Sequence, residues 1–326
     1  MTKRERVMAA VRGDQVDRVP VSLWLHNFAT ENSAETLTAE TLRLAGRFDW
    51  DFLKPQSRAQ CFAEMWGLRY TPSRERAMPY TVTRAPLATA DDLRRLEPAD
   101  PRTGALAEQL QALRAIRKAV GSETPIIWTV FSPLMVLPFL LAGGRAEAVS
   151  LMRSEPAAVD HALSAMAETL AAYARAAVAE GADGLFYATN MATQELSTVA
   201  ECRRFQRPHD LRILGQVANA PFNLLHVCGT GILFDEFVDY PATALSWAVV
   251  PGNPSLTEAH RRTGRAVVGG LPAKPVIKGL PPAEVTSLGR RAITEMDGRF
   301  LLLAPDCSID PDTPEAVIDA ATTATR

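Results

Sequence analysis

Eight short apolar runs, most of them separated by segments of helical periodicity, limit what this 326-residue chain can fold into more than any other feature. They cover residues 19–25, 48–54, 126–130 and 185–188, the run ending in His226 and Cys228, and then 244–249, 266–270 and 300–304. Strand–helix alternation sustained along a chain calls for a parallel sheet, because parallel neighbours need a crossover long enough to be a helix. Eight such units closed into a ring is the simplest arrangement, and the length suits one barrel. The competing open, doubly wound sheet usually carries a glycine-rich phosphate loop. No G-x-G-x-x-G and no G-x-x-x-x-G-K-[ST] follows any of the runs. The expected fold is therefore α/β, a (β/α)8 TIM barrel forming one domain over residues 1–326. It should carry an N-terminal helical extension and an irregular insertion near residues 55–86.

Local signals fill in this outline. Thr2 and Glu5 have capping-box spacing, Val7, Met8 and Val11 mark an apolar face, and Gly13 is placed to end a short helix. Further helices are expected at 31–47, 90–96, 103–120, 199–218, 255–264, 282–296 and 313–325, with two more around Pro156. The last should start from Asp312 or Thr313 as N-cap. The insertion, which holds Cys61, Trp66 and Tyr70, reads as a hairpin or lid. Residues 124–144 carry no charge and are long enough to cross a bilayer. However, Pro125, Pro133 and Pro138 divide them, so they read as a buried strand followed by a core helix. With 35 Lys and Arg against 37 Asp and Glu, nothing points to nucleic acid or an anionic membrane as partner. The polar opening Met-Thr-Lys-Arg-Glu-Arg suggests a cytoplasmic protein with reduced thiols.

Two of the runs end in metal-ligand residue types. His226 and Cys228 close one, and Cys307 follows another. The C-terminal ends of barrel strands are where catalytic side chains converge. Residues i and i+2 of an extended segment point to one side, so His226 and Cys228 can share a metal with Cys307. One imidazole and two thiolates are a zinc set that leaves a fourth position open. The same residues also suit a core histidine with two buried thiols, or a closed structural zinc, for which no fourth ligand has obvious spacing. Asp235 and Glu236 lie on the following segment within potential reach. Cys61 and Cys202 read as ordinary packed residues. His26 and Ser132 also stand at strand exits, and Asn27, Tyr187, Asn190, Gln194 and Trp247 are expected to shape a substrate pocket.

The sequence resembles the uroporphyrinogen decarboxylase superfamily, and within it the branch of zinc-dependent corrinoid methyltransferases of the methylcobamide:coenzyme M type. The likeness runs over most of residues 1–325. It is carried by Asp17-Arg18-Val19-Pro20-Val21, Gly181-Ala182-Asp183-Gly184, His226-Val227-Cys228 with the distant Cys307, and the tail from Cys307 to Thr313-Pro314. The resemblance implies a methyltransferase in which His226, Cys228 and Cys307 hold zinc. Zinc would bind a substrate thiol as the nucleophilic thiolate. A corrinoid such as methylcobalamin would carry the methyl group, either free or on a partner protein, because no Asp-x-His-x-x-Gly module occurs in the chain. Transfer from a methylated small molecule to the corrinoid is the opposite direction open to relatives. A decarboxylase-type lyase is the alternative. Such enzymes hold an acidic tetrapyrrole with arginines near the N-terminus and use a catalytic aspartate, and residues 23–30 offer neither. A zinc barrel with non-corrinoid thiol or carbon–sulfur chemistry is the third reading.

Overall fold

In the computed structural model, which describes residues 1–326, the alternation becomes an all-parallel sheet in sequence order. A small antiparallel hairpin, β1 (Arg69–Thr71) and β2 (Thr81–Arg84), comes first. The sheet then runs through β3 (Ile127–Phe131), β4 (Gly184–Thr189), β5 (Leu224–Val227), β6 (Ala244–Trp247), β7 (Ala266–Leu271) and β8 (Leu301–Pro305). Nearly every residue of these six strands is buried, as expected when both faces of a parallel sheet are covered.

The first two expected strands differ from the other six. Residues 19–25 and 48–54 lie in the wall, but they join it through isolated parallel bridges, Val21 with Leu303 and Leu53 with Ile126. The ring nevertheless closes. Leu303 donates to the Pro20 carbonyl (2.8 Å), Ser22 to Leu303 (3.1 Å) and Asp51 to Val21 (2.9 Å). Leu53 donates to Pro125 (2.8 Å), and Ile127 to Leu53 (2.9 Å). A regular ladder is interrupted because Pro20 has no N–H and because the Val21 amide is taken by the Asp51 carboxylate at 2.8 Å. That carboxylate is fully buried and also accepts from Arg6 (2.7 Å) and from both terminal nitrogens of Arg18 (2.6 and 2.9 Å).

Period-2 alternation then sorts the wall residues into two cores. Trp24, Phe52, Phe186, Leu224, Val268 and Leu302 fill the lumen, while a far larger cluster lies between the sheet and its helices. The helix Lys3–Arg12 has the expected Thr2–Glu5 capping box and ends at Gly13 with φ 74°. Gly13 packs against Phe300, directly before β8, so this helix plugs the N-terminal end of the barrel with Val7 and Ala10.

Other expectations meet mixed outcomes. The stretch 124–144 is β3 followed by the helix Pro133–Leu140, whose Leu134, Val136, Leu137 and Leu140 are fully buried. No helix is long and apolar enough to cross a membrane. Residues 199–218 are not one helix, because a π-helical segment, Cys202–Gln206, precedes the helix Arg207–Gly215. The last helix begins at Glu315 without a side-chain cap, since the Thr313 hydroxyl donates to the Asp310 carbonyl instead (2.7 Å). The insertion holds the short helix Cys61–Glu64 and the β1–β2 hairpin. It packs onto the loop at 26–32, with Tyr80 edge-on to Phe28 and the Arg76 carbonyl accepting from the Phe28 amide.

Because Asp51 neutralises two arginines at the closure, Asp51→Ala should lower the unfolding free energy by about 3–5 kcal/mol, as loss of one partner from a buried ion cluster does. Urea unfolding followed by circular dichroism measures this. A loss below about 1 kcal/mol, the scale of an exposed pair, would show that the closure stands without the cluster.

Candidate metal centre

The lumen-facing positions of β5 and β6 place the histidine. Ala188, His226 and Ser246 share one register across β4, β5 and β6. The His226 ring stacks on Phe186 (centroids 5.2 Å apart, planes at 27°), and its Nδ1 lies 3.2 Å from the Ser246 hydroxyl. This fixes the ring and leaves Nε2 buried without any hydrogen-bond partner. A histidine with one nitrogen oriented by a hydrogen bond and the other left free has the usual form of a metal ligand.

Cys228 lies just past β5, where its amide extends the pairing by one bond to the Thr189 carbonyl (2.8 Å). Gly229 follows at φ 129°, and a Cβ there would lie 2.6 Å from the Thr193 methyl, so the chain can turn away only at glycine. Cys307 stands two residues beyond β8. One ligand atom from each of His226, Cys228 and Cys307 lies within 4.8 Å of the other two. The two thiols lie close enough for each to act on the other's proton. Donation from Cys228 holds the Cys307 thiol well below its usual range, and the same bond, with burial, pushes Cys228 up. Two thiolates cannot both be charged in this buried space without a cation. The orphaned imidazole nitrogen and the paired sulfurs therefore fit a soft dication, and N, S, S donors favour zinc.

The flanking acid is Asp306. Burial pushes its carboxyl up to about 7, against the hydrogen bond from the Val249 amide (3.0 Å), and its Oδ1 is buried without a partner. Asp235 and Glu236 do not join the centre. They pair with Arg262 and with Arg203 respectively.

The five expected pocket residues divide. Tyr187 and Trp247 carry the opposite parity to His226 and face the helix layer, which corrects the reading of both as substrate contacts. Tyr187 lies level with Leu225, and Trp247 with Val227. The Tyr187 hydroxyl donates to the buried Asp210 (2.5 Å). The Trp247 indole donates to the Pro254 carbonyl (2.9 Å) and packs edge-on against Phe234. Asn190, one residue past β4, keeps the parity of Ala188, and its side-chain oxygen is buried without a partner. Asn27 donates to Glu40 (3.0 Å) and likewise has an unpartnered buried oxygen. Gln194 is exposed and lines a surface groove with Ile232, Phe234 and Asn253. Cys61 and Cys202 are fully buried in the core, and burial raises both thiols, Cys202 to about 12.

Two contributors escaped the sequence reading. Ser246 shows itself only once β5 and β6 are set in register. Lys54 is the last residue of the second apolar run, and a charged residue at a strand exit was its only signal. It is 7 % exposed and has no carboxylate partner.

The family profile described as uroporphyrinogen decarboxylase (URO-D) matches residues 2–326. The chain belongs to the uroporphyrinogen decarboxylase family. Among curated URO-D relatives, methylcobamide:CoM methyltransferase MtaA of Methanosarcina barkeri is 26 % identical over 63 % of this chain, an alignment that spans 59 % of MtaA. Methylcobamide:CoM methyltransferase MtbA of Methanosarcina acetivorans is 22 % identical over 97 % of this chain and 95 % of its own length. A uroporphyrinogen decarboxylase of Sorangium cellulosum is 27 % identical over 73 % of this chain and 69 % of its own. A solved methyltransferase from Methanosarcina mazei superposes with a TM-score of 0.81 over 99 % of this chain and 98 % of its own, at 20 % identity. That likeness shows the fold, a TIM barrel of URO-D type.

Ser246→Ala should weaken zinc binding by about 10–100-fold, the usual effect of losing the group that orients a histidine ligand. Competition with a chromophoric chelator measures it. The double variant His226→Ala, Cys228→Ala should bind no zinc and Cys61→Ser should bind it normally. Stoichiometric zinc in the double variant would place the metal elsewhere.

Proposed function

We propose that this chain is a zinc-dependent methyltransferase that moves a methyl group between a corrinoid and a small thiol, with the thiol as acceptor. The observation that carries the reading is the convergence of one unpartnered imidazole nitrogen and two thiols from the exits of β5 and β8. When bound by His226, Cys228 and Cys307, zinc supplies a Lewis acid that keeps a thiol in its thiolate form at neutral pH.

The protein's own residues do the rest. Ser246 holds the His226 ring in place, and Phe186 backs it. The apolar lumen below, with Trp24, Phe186 and Ala188, keeps water from the floor of the site and strengthens the charges above it. The unpartnered oxygens of Asn27 and Asn190 supply acceptors for substrate N–H or O–H groups. The corrinoid, free methylcobalamin or the prosthetic group of a partner protein, would approach from the open C-terminal mouth. The methylcobamide:CoM methyltransferases among the relatives support this direction, while the decarboxylases in the same family define the rival. Arg58, the buried arginine nearest the expected tetrapyrrole-binding segment, is already paired with Glu64 (2.8 Å) and Glu108 (2.5 Å).

Incubation of zinc-loaded protein with methylcobalamin and a panel of small thiols should yield S-methyl thioethers and demethylated cobalamin, read by absorbance and mass spectrometry. Cys307→Ala removes a ligand to a Lewis acid worth several kcal/mol, so its rate should fall by at least about 100-fold. No transfer to any thiol, together with decarboxylation of uroporphyrinogen, would sink the proposal in favour of the lyase.

A further inference from the structure

Lys54 leaves the wall where residues 48–54 end, and neither the metal centre nor the closure uses it. Its Nζ donates to the Gln56 side-chain oxygen and stands 4.5 Å from the centroid of Phe186, the ring that stacks on His226. The Gln56 amide nitrogen is 2.7 Å from His26 Nε2, and His26 Nδ1 lies 2.8 and 3.0 Å from the two oxygens of the buried Glu31 carboxylate.

In the neutral form of His26 the contacts assign the protons along this chain. With Nδ1–H donating to Glu31, Nε2 of His26 must accept from the Gln56 amide, so the Gln56 oxygen must face Lys54. That oxygen accepts equally from an ammonium or from a neutral amine. An amine held there keeps one N–H on Gln56 and has a lone pair free for the lumen. The charges facing Lys54 are Cys307 first, then Glu31, which both favour the ammonium, and Lys274, which opposes it. Burial outweighs them and brings Lys54 down to about 7. A dication held by His226, Cys228 and Cys307 adds a further positive charge and favours the amine still more.

We propose that Lys54 is the general base that takes the thiol proton of the methyl acceptor as that thiol enters the centre, oriented for this by the Glu31–His26–Gln56 chain. The inference rests on the methyltransferase reading. The S–H bond breaks with its electron pair left on sulfur, and an N–H bond forms on Nζ, directly or through one water. The sulfur pair then forms the C–S bond, the Co–C pair stays on cobalt, and the Lys54 ammonium returns its proton to solvent at the mouth.

The first test needs neither metal nor turnover. In metal-free protein carrying 13C at lysine Cε, the signals of Lys3, Lys54, Lys118, Lys274 and Lys278 can be followed by NMR as pH is varied. One signal should titrate near neutrality, well below the ordinary lysine value of about 10.4, and be missing in Lys54→Met. A Lys54 midpoint within about one unit of that ordinary value would overturn the proposal.

The second test uses zinc-loaded protein. Lys54→Arg, a fixed cation, should retain zinc but slow thiol methylation by roughly 100-fold or more below the pKa of the free thiol. The deficit should shrink as pH rises through that pKa, because the acceptor then arrives already ionised. A deficit of the same size at every pH would mark a structural role and overturn the proposal. A wild-type protein inert towards methylcobalamin and every thiol would overturn the methyltransferase reading and the role of Lys54 within it. The lysine midpoint, read without metal, tells that failure apart from failure of the base alone.

Discussion

The barrel depends on how its ring is closed. Six strands pair in sequence order, but the gap between β8 and β3 is bridged by two extended segments with broken ladders. What joins those segments is one buried carboxylate. Asp51 takes the Val21 amide, Arg6 and Arg18, so a single side chain ties the N-terminal helix, the first wall segment and the second. Unpaired, a charge at that depth would cost several kcal/mol. With two guanidiniums and an amide it becomes a joint instead. The run Asp17-Arg18-Val19-Pro20 is thereby explained physically. Arg18 supplies charge to the joint, Asp17 steadies Arg6 beside it, and Pro20 offers the carbonyl that accepts from Leu303.

That closure has a functional consequence, because it brings the exits of both irregular segments to the mouth. His26, Asn27 and Glu31 leave from the first, and Lys54 and Gln56 from the second. Their hydrogen-bonded chain points across the lumen towards Phe186 and His226. A regular eight-stranded ladder would satisfy the Val21 amide from a neighbouring strand and leave Asp51 without that contact. The irregular wall and the arrangement of the mouth therefore share one cause.

The order of six of the eight expected strands and the meeting of His226, Cys228 and Cys307 could be read from the chain, because each rests on local pattern. The apolar runs mark the strands, and two of them end in His226, Cys228 and Cys307. Parity was not readable at the same level. Tyr187 and His226 both stand at strand exits, yet period-2 alternation sends one to Asp210 in the helix layer and the other to the lumen, and only cross-strand register decides which. Ser246 escaped notice for the same reason. The last helix starts later than the spacing suggests because Thr313 bonds back to Asp310 rather than forward, a competition between turn and cap that spacing alone does not decide. The π-helical segment at Cys202–Gln206 leaves no mark in composition at all.

The family frame narrows the chemistry less than the charge balance at the mouth does. A URO-D barrel can be lined to hold an acidic tetrapyrrole, and then its cations must stay free. Here the buried Arg58 is neutralised by Glu64 and Glu108, and the arginines of the closure are consumed by Asp51 and Asp17. Of the cations that act on the centre, Lys54 is buried, and burial counts against its charge, while Lys274 and Arg145 act on Cys228 from further off. Near Lys54 are the thiols of Cys228 and Cys307, the first pushed up and the second held down by their neighbourhood, and a bound dication would favour both as thiolates. Such a lumen favours a positive ion over a polyanion, and it favours a neutral amine over an ammonium once that ion is in place. Each group therefore reinforces the protonation state that the proposed thiol activation requires of the others.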